Sequence, residues 1–144
     1  MQRMAAVTAI MAMVAVAGFA ATQTQPQTTK TASGRLDGTK WTVKVTPDEA
    51  AAAKGEKPFD DVLVADGGLV TMSECLKWGF RPSRYTTEAA GSGWSFRTEQ
   101  KSKKEGTSVW TADIAGDTIT GRMVWTKKDG TVLNYTFEGK KAGT

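Results

Sequence analysis

Apolar and polar residues alternate along most of the chain from residue 41 onward. Trp41, Val43 and Val45 alternate with polar neighbours, and the same two-residue period returns at residues 94–98, 110–114, 119–125 and 132–138. This period is typical of a β-strand that buries one face. Shorter apolar runs at 62–64 and 69–72, with a weaker one at 85–88, bring the number of predicted strands to about eight.

Short polar connections separate these strands, at residues 66–68, 91–93, 115–117 and 127–130. Their glycines supply the positive φ that tight hairpins require. Successive hairpins without intervening helices favour an all-β fold, a small up-and-down antiparallel barrel of about eight strands. A β-sandwich would show the same alternation and is the alternative.

One segment departs from the strand pattern. Thr46 and Glu49 have the spacing of a helix capping box, a run of alanines follows, and Gly55 is a natural stop. These signals predict one short helix near 47–54 that caps an end of the barrel or decorates a loop.

The N-terminus has the pattern of a secretory signal peptide. Arg3 precedes an uncharged apolar run that ends in small residues, which predicts a signal peptide at 1–20, cleaved after Ala20. An uncleaved membrane anchor is the competing interpretation. Residues 21–34 lack large apolar side chains and predict a disordered linker. The barrel domain then spans 35–144, in a periplasmic or secreted protein with no membrane span after cleavage.

The composition narrows the chemistry that is expected. The chain contains no His and one Cys, so the commonest general base, the commonest metal ligand and an intramolecular disulfide are all missing. The net charge of +4 is mild and dispersed, which argues against a nucleic-acid partner. We therefore expect no enzyme, cofactor or metal site. An enzyme would require two carboxylates that converge in one pocket, whereas strand alternation sends most carboxylates outward.

The segment 75–85 interleaves aromatic and basic residues outside any clear strand. The aromatics Trp78, Phe80 and Tyr85 and the cations Arg81 and Arg84 make it a candidate ligand-binding loop. The alternative is a connection that plugs the barrel mouth with its aromatic side chains. Cys75, at the start of the segment, is either a small buried side chain or a reactive thiol.

The aromatic residues of the strands allow two interpretations. They either line an apolar cavity or fill the barrel, as side chains do in small barrels. The further candidate ligand-binding residues in this set are Trp41, Trp94, Trp110, Trp125 and Tyr135.

Several short motifs resemble those of small exported bacterial proteins described as lipocalin-like or calycin-like. The motifs lie at residues 36–41, 79–80, 106–110, 116–121 and 137–141. The resemblance implies a barrel and a hydrophobic ligand. The expected function is a non-enzymatic binding module for a small apolar or amphipathic ligand at the barrel mouth. The alternative is a protein-interaction or inhibitor domain that uses the 75–85 segment.

Overall fold

The protein is described by a computed structural model that covers residues 34–143. The predicted signal peptide and almost all of the predicted linker lie outside these residues. The described chain forms eight strands and two short helices. The strands are β1 (Thr39–Pro47), β2 (Phe59–Asp66), β3 (Leu69–Met72), β4 (Ser83–Ala90), β5 (Gly93–Ser102), β6 (Gly106–Ala115), β7 (Thr118–Thr126) and β8 (Val132–Lys141), and the helices are α1 (Glu49–Ala53) and α2 (Ser73–Leu76).

The sheet closes into a barrel. Each strand pairs antiparallel with the next along the chain, and β8 pairs back with β1 through seven residues of register. The predicted up-and-down barrel is thus confirmed, and the sandwich alternative is excluded. Every described strand thus has a partner on both sides, although β3 and β4 meet through only two residue pairs.

Two glycines permit the strands to approach closely where the barrel curves. A Cβ at Gly139 in β8 would lie 2.1 Å from the carbonyl oxygen of Thr42 in β1. A Cβ at Gly121 in β7 would lie 2.0 Å from the carbonyl oxygen of Thr111 in β6. Any other residue would push these strands apart, so glycine is required for curvature and not for a turn.

Large side chains fill the middle of the barrel. Trp110 is fully buried, and its ring centroid lies 5.1 Å from that of Phe137. Trp41, Leu63 and Phe96 are 2% exposed or less. Trp41 and Trp110 therefore belong to the packed core, as side chains do in barrels of eight strands.

A second part of the interior is polar. Buried Thr98, Gln100 and Ser102 continue the inward face of β5, and Ser108 faces them from β6. The Trp110 indole N–H donates to Ser108 Oγ at 3.2 Å, and Gln100 Nε2 donates to the Val70 carbonyl oxygen at 3.3 Å. Alternation placed Thr98 on the face of Trp94 and Phe96. It did not mark Gln100, Ser102 or Ser108 as interior, because a polar residue in a strand ordinarily indicates the solvent face.

The two ends of the barrel are built differently. One, the mouth end, carries the β1–β2, β3–β4, β5–β6 and β7–β8 connections and both helices. The other, the N-terminal end, carries the three remaining turns and residues 34–38. This short segment crosses the N-terminal end, since the Gly38 N–H donates to the Ala65 carbonyl in β2 while the Arg35 guanidinium lies 3.5 Å from the ring centroid of Trp94 in β5.

The predicted short helix near 47–54 is present as α1, with a different cap. Strand β1 continues through Pro47, because Thr46 pairs with Thr136 of β8. Asp48 is the N-cap, and its Oδ1 accepts from the Ala51 N–H at 2.7 Å. Thr46 is held in the sheet and cannot cap the helix.

Candidate functional site

The predicted 75–85 loop is a helical turn followed by a strand. Helix α2 is followed by a turn that closes in a Schellman motif at Gly79, whose φ is +83°. The Gly79 N–H donates to the Leu76 carbonyl at 3.0 Å, and the Phe80 N–H to the Cys75 carbonyl at 3.2 Å. The motif turns Phe80 into the barrel, where it is 5% exposed, and leaves Trp78 outside at 61%. Strand β4 begins at Ser83.

Ser102 holds this turn against the β5–β6 connection. Its Oγ donates to the Trp78 carbonyl oxygen at 2.8 Å and accepts from the Glu105 N–H at 3.2 Å. A Cβ at Gly79 would lie 3.1 Å from the same Oγ. The position of Trp78 is thus tied to a buried side chain of β5.

Asp61 of β2 fixes the start of α2. Its Oδ1 accepts from the Glu74 N–H at 2.8 Å and from the Val62 N–H at 2.7 Å. The Cys75 thiol lies 3.5 Å from Oδ2. Burial is the main cause that raises the pKa of Asp61 above its ordinary value. Cys75 is a free, buried thiol, and burial and the Asp61 carboxylate together raise its pKa, which disfavours the thiolate.

A cavity of about 500 Å³ opens beneath Trp78 at the mouth end. We call it the mouth pocket. Its apolar lining is aromatic except for one cysteine and one methionine: Phe59, Cys75, Trp78, Phe80, Met123, Trp125 and Tyr135. The rings of Phe80 and Trp125 meet edge to face with centroids 6.3 Å apart, and those of Phe59 and Tyr135 do so at 6.2 Å. These contacts make stiff walls.

Polar side chains from the connections also line the mouth pocket. The Tyr135 hydroxyl donates to Glu56 Oε2 at 2.9 Å, and burial followed by this bond raises the pKa of Tyr135. Glu74 accepts from the Lys77 ammonium at 2.7 Å, and Glu105 completes a set of three carboxylates. All three lie in or beside connections, so the expectation that alternation directs carboxylates outward did not apply to them. Carboxylates do share one pocket here, which removes that ground for expecting no enzyme.

A second, wider depression of about 990 Å³ adjoins the mouth pocket and shares Trp78, Glu105 and Lys127 with it. We call it the basic groove. Seven cationic side chains line it, against the single carboxylate of Glu105: Lys77, Arg81, Lys101, Lys103, Lys104, Lys127 and Lys128. The Lys127 ammonium lies 5.1 Å from the ring centroid of Trp125, so it sits between the two cavities.

The predicted site residues fall into several places. The mouth pocket brings together Trp78, Phe80, Trp125 and Tyr135, and the basic groove contains Arg81. The core contains Trp41 and Trp110. Arg84 is exposed on β4 and lines neither cavity, and Trp94 packs under Arg35 at the N-terminal end.

Tyr85 also points toward the N-terminal end. Its hydroxyl accepts from the Leu36 N–H at 2.8 Å and donates to Asp37 Oδ1 at 2.7 Å. Both Asp37 oxygens accept from the Gly68 N–H. Burial, followed by the hydrogen bond to Asp37, raises the pKa of Tyr85 to about 12. Tyr85 fastens residues 34–38 across the barrel and is remote from the mouth pocket.

Several pocket residues escaped sequence reasoning. Met123 is not one of them, because the alternation at 119–125 places it on the inward face that it shares with Trp125 and Tyr135. The helix stop at Gly79 was a signal for α2. No local signal marks Glu56, Phe59 or Glu105, because they meet only when the barrel closes.

Comparisons with protein-family models, with curated proteins and with solved structures find no match to this chain. Within residues 34–143, no group of His, Cys, Asp and Glu side chains is arranged to hold a metal ion. None of the helices described is long and apolar enough to cross a membrane.

Tyr85→Phe should lower the free energy of unfolding by about 1–3 kcal/mol, because it leaves the buried Leu36 N–H without its partner. The raised pKa makes the hydroxyl's contribution fully present below pH 10, the ordinary value for tyrosine, and lost as the pH rises toward about 12. Urea unfolding of wild type and Tyr85→Phe at a series of pH values from roughly 7 to 11 checks this, because the contribution of the hydroxyl begins to fall within that range. If the two proteins had the same free energy of unfolding, or a difference that stayed constant over that range, Tyr85 would not hold residues 34–38 in place.

Asp61→Ala should destabilise the protein by about 1–2 kcal/mol, since it removes the cap of α2. Asp61→Asn is the matched control, because its Oδ1 can accept both backbone hydrogen bonds without a buried charge. The pKa of Asp61 in the folded protein lies above 3.8. The free energy of unfolding of wild type, relative to that of Asp61→Asn, therefore falls as the pH rises through this folded-state pKa. Thermal unfolding at pH values on both sides of 3.8 measures this. Equal losses in the two variants at neutral pH would show that the charge, and not the cap, stabilises α2.

Proposed function

We propose that the protein is a binding module that holds a small amphipathic molecule in the mouth pocket. The observation that carries the proposal is a cavity of about 500 Å³ with a nearly continuous aromatic wall at the end of an otherwise filled barrel. Small-molecule sites are ordinarily concave, largely apolar and of about 300–1,000 Å³.

The placement of Trp78 supports this proposal. A tryptophan that is 61% exposed has few apolar contacts with other side chains. The backbone at Trp78 is nevertheless fixed by the hydrogen bond from Ser102 and by the Schellman turn. A bound apolar body would cover the inner face of the indole and recover that contact. The same body would pack against Phe80 and Trp125.

The polar lining favours one kind of head group. Glu56, Glu74 and Glu105 bring three carboxylates to the pocket against the single cation of Lys127, and a carboxylate accepts hydrogen bonds. The expected ligand therefore combines an apolar body with a group that donates hydrogen bonds, such as a hydroxyl or an amine. None of the proposed contacts requires a metal or a cofactor.

The neutral fluorescent amine N-phenyl-naphthylamine tests the proposal. We expect saturable binding that Trp78→Ala weakens roughly tenfold or more, because one wall of the pocket is lost. Leu69→Ala is the control, since Leu69 is 40% exposed on β3, and its truncation should leave the affinity unchanged. Binding that does not saturate, or equal binding by all three proteins, would refute a site in the mouth pocket.

A second candidate function is a protein-interaction or inhibitor domain that uses the 75–85 segment. The exposure of Leu76 and Trp78 favours it. A protein that docks on Trp78 would be lost from a pull-down with Trp78→Ala and retained with Leu69→Ala. The pocket itself favours the first function, because a flat protein contact requires no cavity.

A further inference from the structure

Exposed apolar side chains are concentrated at the mouth end. Leu76, Trp78 and Val132 are 46%, 61% and 48% exposed, and all three lie in or beside its connections. Leu76 and Trp78 project from a single helical turn, and both line the basic groove. An exposed Trp and Leu on one turn is unusual for a surface that meets only water.

The cations around this turn are mostly uncompensated. Lys77 pairs with Glu74 at 2.7 Å, and Lys101 lies 3.5 Å from Glu99. In the part of the chain that the structure describes, no carboxylate lies within 4.0 Å of the other basic groups of the groove: Arg81, Lys103, Lys104, Lys127 and Lys128. Five unpaired cations on one side of one end make a strong local positive field despite the modest net charge of +4.

We propose that the mouth end docks on the surface of an anionic lipid bilayer. Tryptophan is favoured at the level of the lipid headgroups, and leucine at the boundary with the acyl chains. Lysine and arginine side chains nearby are attracted to anionic headgroups, each by about fivefold in binding. The groove supplies all three kinds of residue at one place, so the protein attaches peripherally through Leu76, Trp78 and the basic groove.

A bilayer explains the surface better than a soluble polyanion. A nucleic acid or acidic polysaccharide would use the lysines and could stack on Trp78, but it would leave Leu76 and Val132 in water. Single-stranded nucleic acids are ordinarily held by several aromatic platforms, and Trp78 is the one exposed aromatic side chain within residues 34–143.

The docked orientation would also place the mouth pocket against the membrane. Trp78 forms a wall of the pocket and part of the docking surface. An amphipathic molecule could then pass between the bilayer and the pocket without crossing water. The docking inference itself stands on the exposed apolar residues and the cations, and does not need the pocket to bind a ligand.

Co-sedimentation with vesicles tests the inference. The full chain should bind vesicles of phosphatidylglycerol and phosphatidylcholine much more tightly than vesicles of phosphatidylcholine alone, with an affinity that falls as salt is added. The double variant Lys103→Gln/Lys104→Gln should bind the anionic vesicles roughly 30-fold more weakly. The control is Lys40→Gln/Lys140→Gln, which removes the same charge from exposed positions near the N-terminal end and should bind as wild type. Residues 1–33 are the same in all variants, so any difference in binding between the variants comes from the substituted lysines.

Brominated phosphatidylglycerol locates the contact. It should quench part of the tryptophan emission of wild type, and that quenched part should be missing in Trp78→Phe, because the other tryptophans are buried or half-buried. Equal binding by the two lysine double variants would overturn the inference. Quenching that survives Trp78→Phe, or binding to heparin or single-stranded DNA with no binding to anionic vesicles, would also overturn it. All of these outcomes are independent of N-phenyl-naphthylamine binding.

Discussion

The pairing of β8 with β1 is the constraint on which the rest of the molecule depends. Once the sheet closes, every inward side chain of eight strands must share one interior of fixed width. Two indoles and two phenyl rings occupy most of that width: Trp41, Trp110, Phe96 and Phe137. The closure itself depends on Gly121 and Gly139, where a Cβ would meet a neighbouring carbonyl oxygen at about 2 Å. Because the middle is filled, a site for another molecule has to lie at an end.

The two ends use their polar groups for different purposes. At the N-terminal end, the Tyr85 hydroxyl accepts from the Leu36 N–H of the segment that crosses the barrel. Asp37 of that segment accepts from the Gly68 N–H of the β2–β3 turn, and the two bonds together close this end. At the mouth end, Asp61 accepts from the Glu74 N–H of α2, and the Ser102 hydroxyl donates to the Trp78 carbonyl oxygen in the turn after it. These bonds hold a turn that leaves Trp78 outside the core. Hydrogen bonds between side chains and backbone therefore close the N-terminal end of the barrel, whereas at the mouth end they leave a pocket.

Much of the fold can be predicted from local sequence, because a strand with one buried face shows an alternation of apolar and polar residues. The alternation at 41–45, 110–114 and 133–137 placed most core residues correctly. The series of hairpins favoured a barrel over a sandwich, and the structure decides between them. Polar interior residues such as Gln100 could not be recognised in this way, since only the closed sheet shows that their face is buried. The predicted N-cap was Thr46, and the observed one is Asp48, for a related reason. Thr46 pairs with β8 in the sheet and is therefore not available to cap the helix.

The candidate site was less accessible from the sequence. Trp78 and Phe80 stood out in an unusual segment, but the Schellman turn at Gly79 that separates their directions requires the helix to be recognised first. Tyr85, five residues after Phe80, belongs to a different end of the barrel because β4 begins between them. Glu56, Phe59 and Glu105 come from separate connections, and only closure brings these connections to one mouth.

The central claim is that the barrel is filled and that its binding site is the mouth pocket. A crystal structure of the protein grown with N-phenyl-naphthylamine tests it most directly. The account predicts density for the probe between Trp78, Phe80 and Trp125, with the core side chains unmoved. Density for the probe among Trp41, Phe96 and Trp110, inside a barrel that has opened to receive it, would contradict the account.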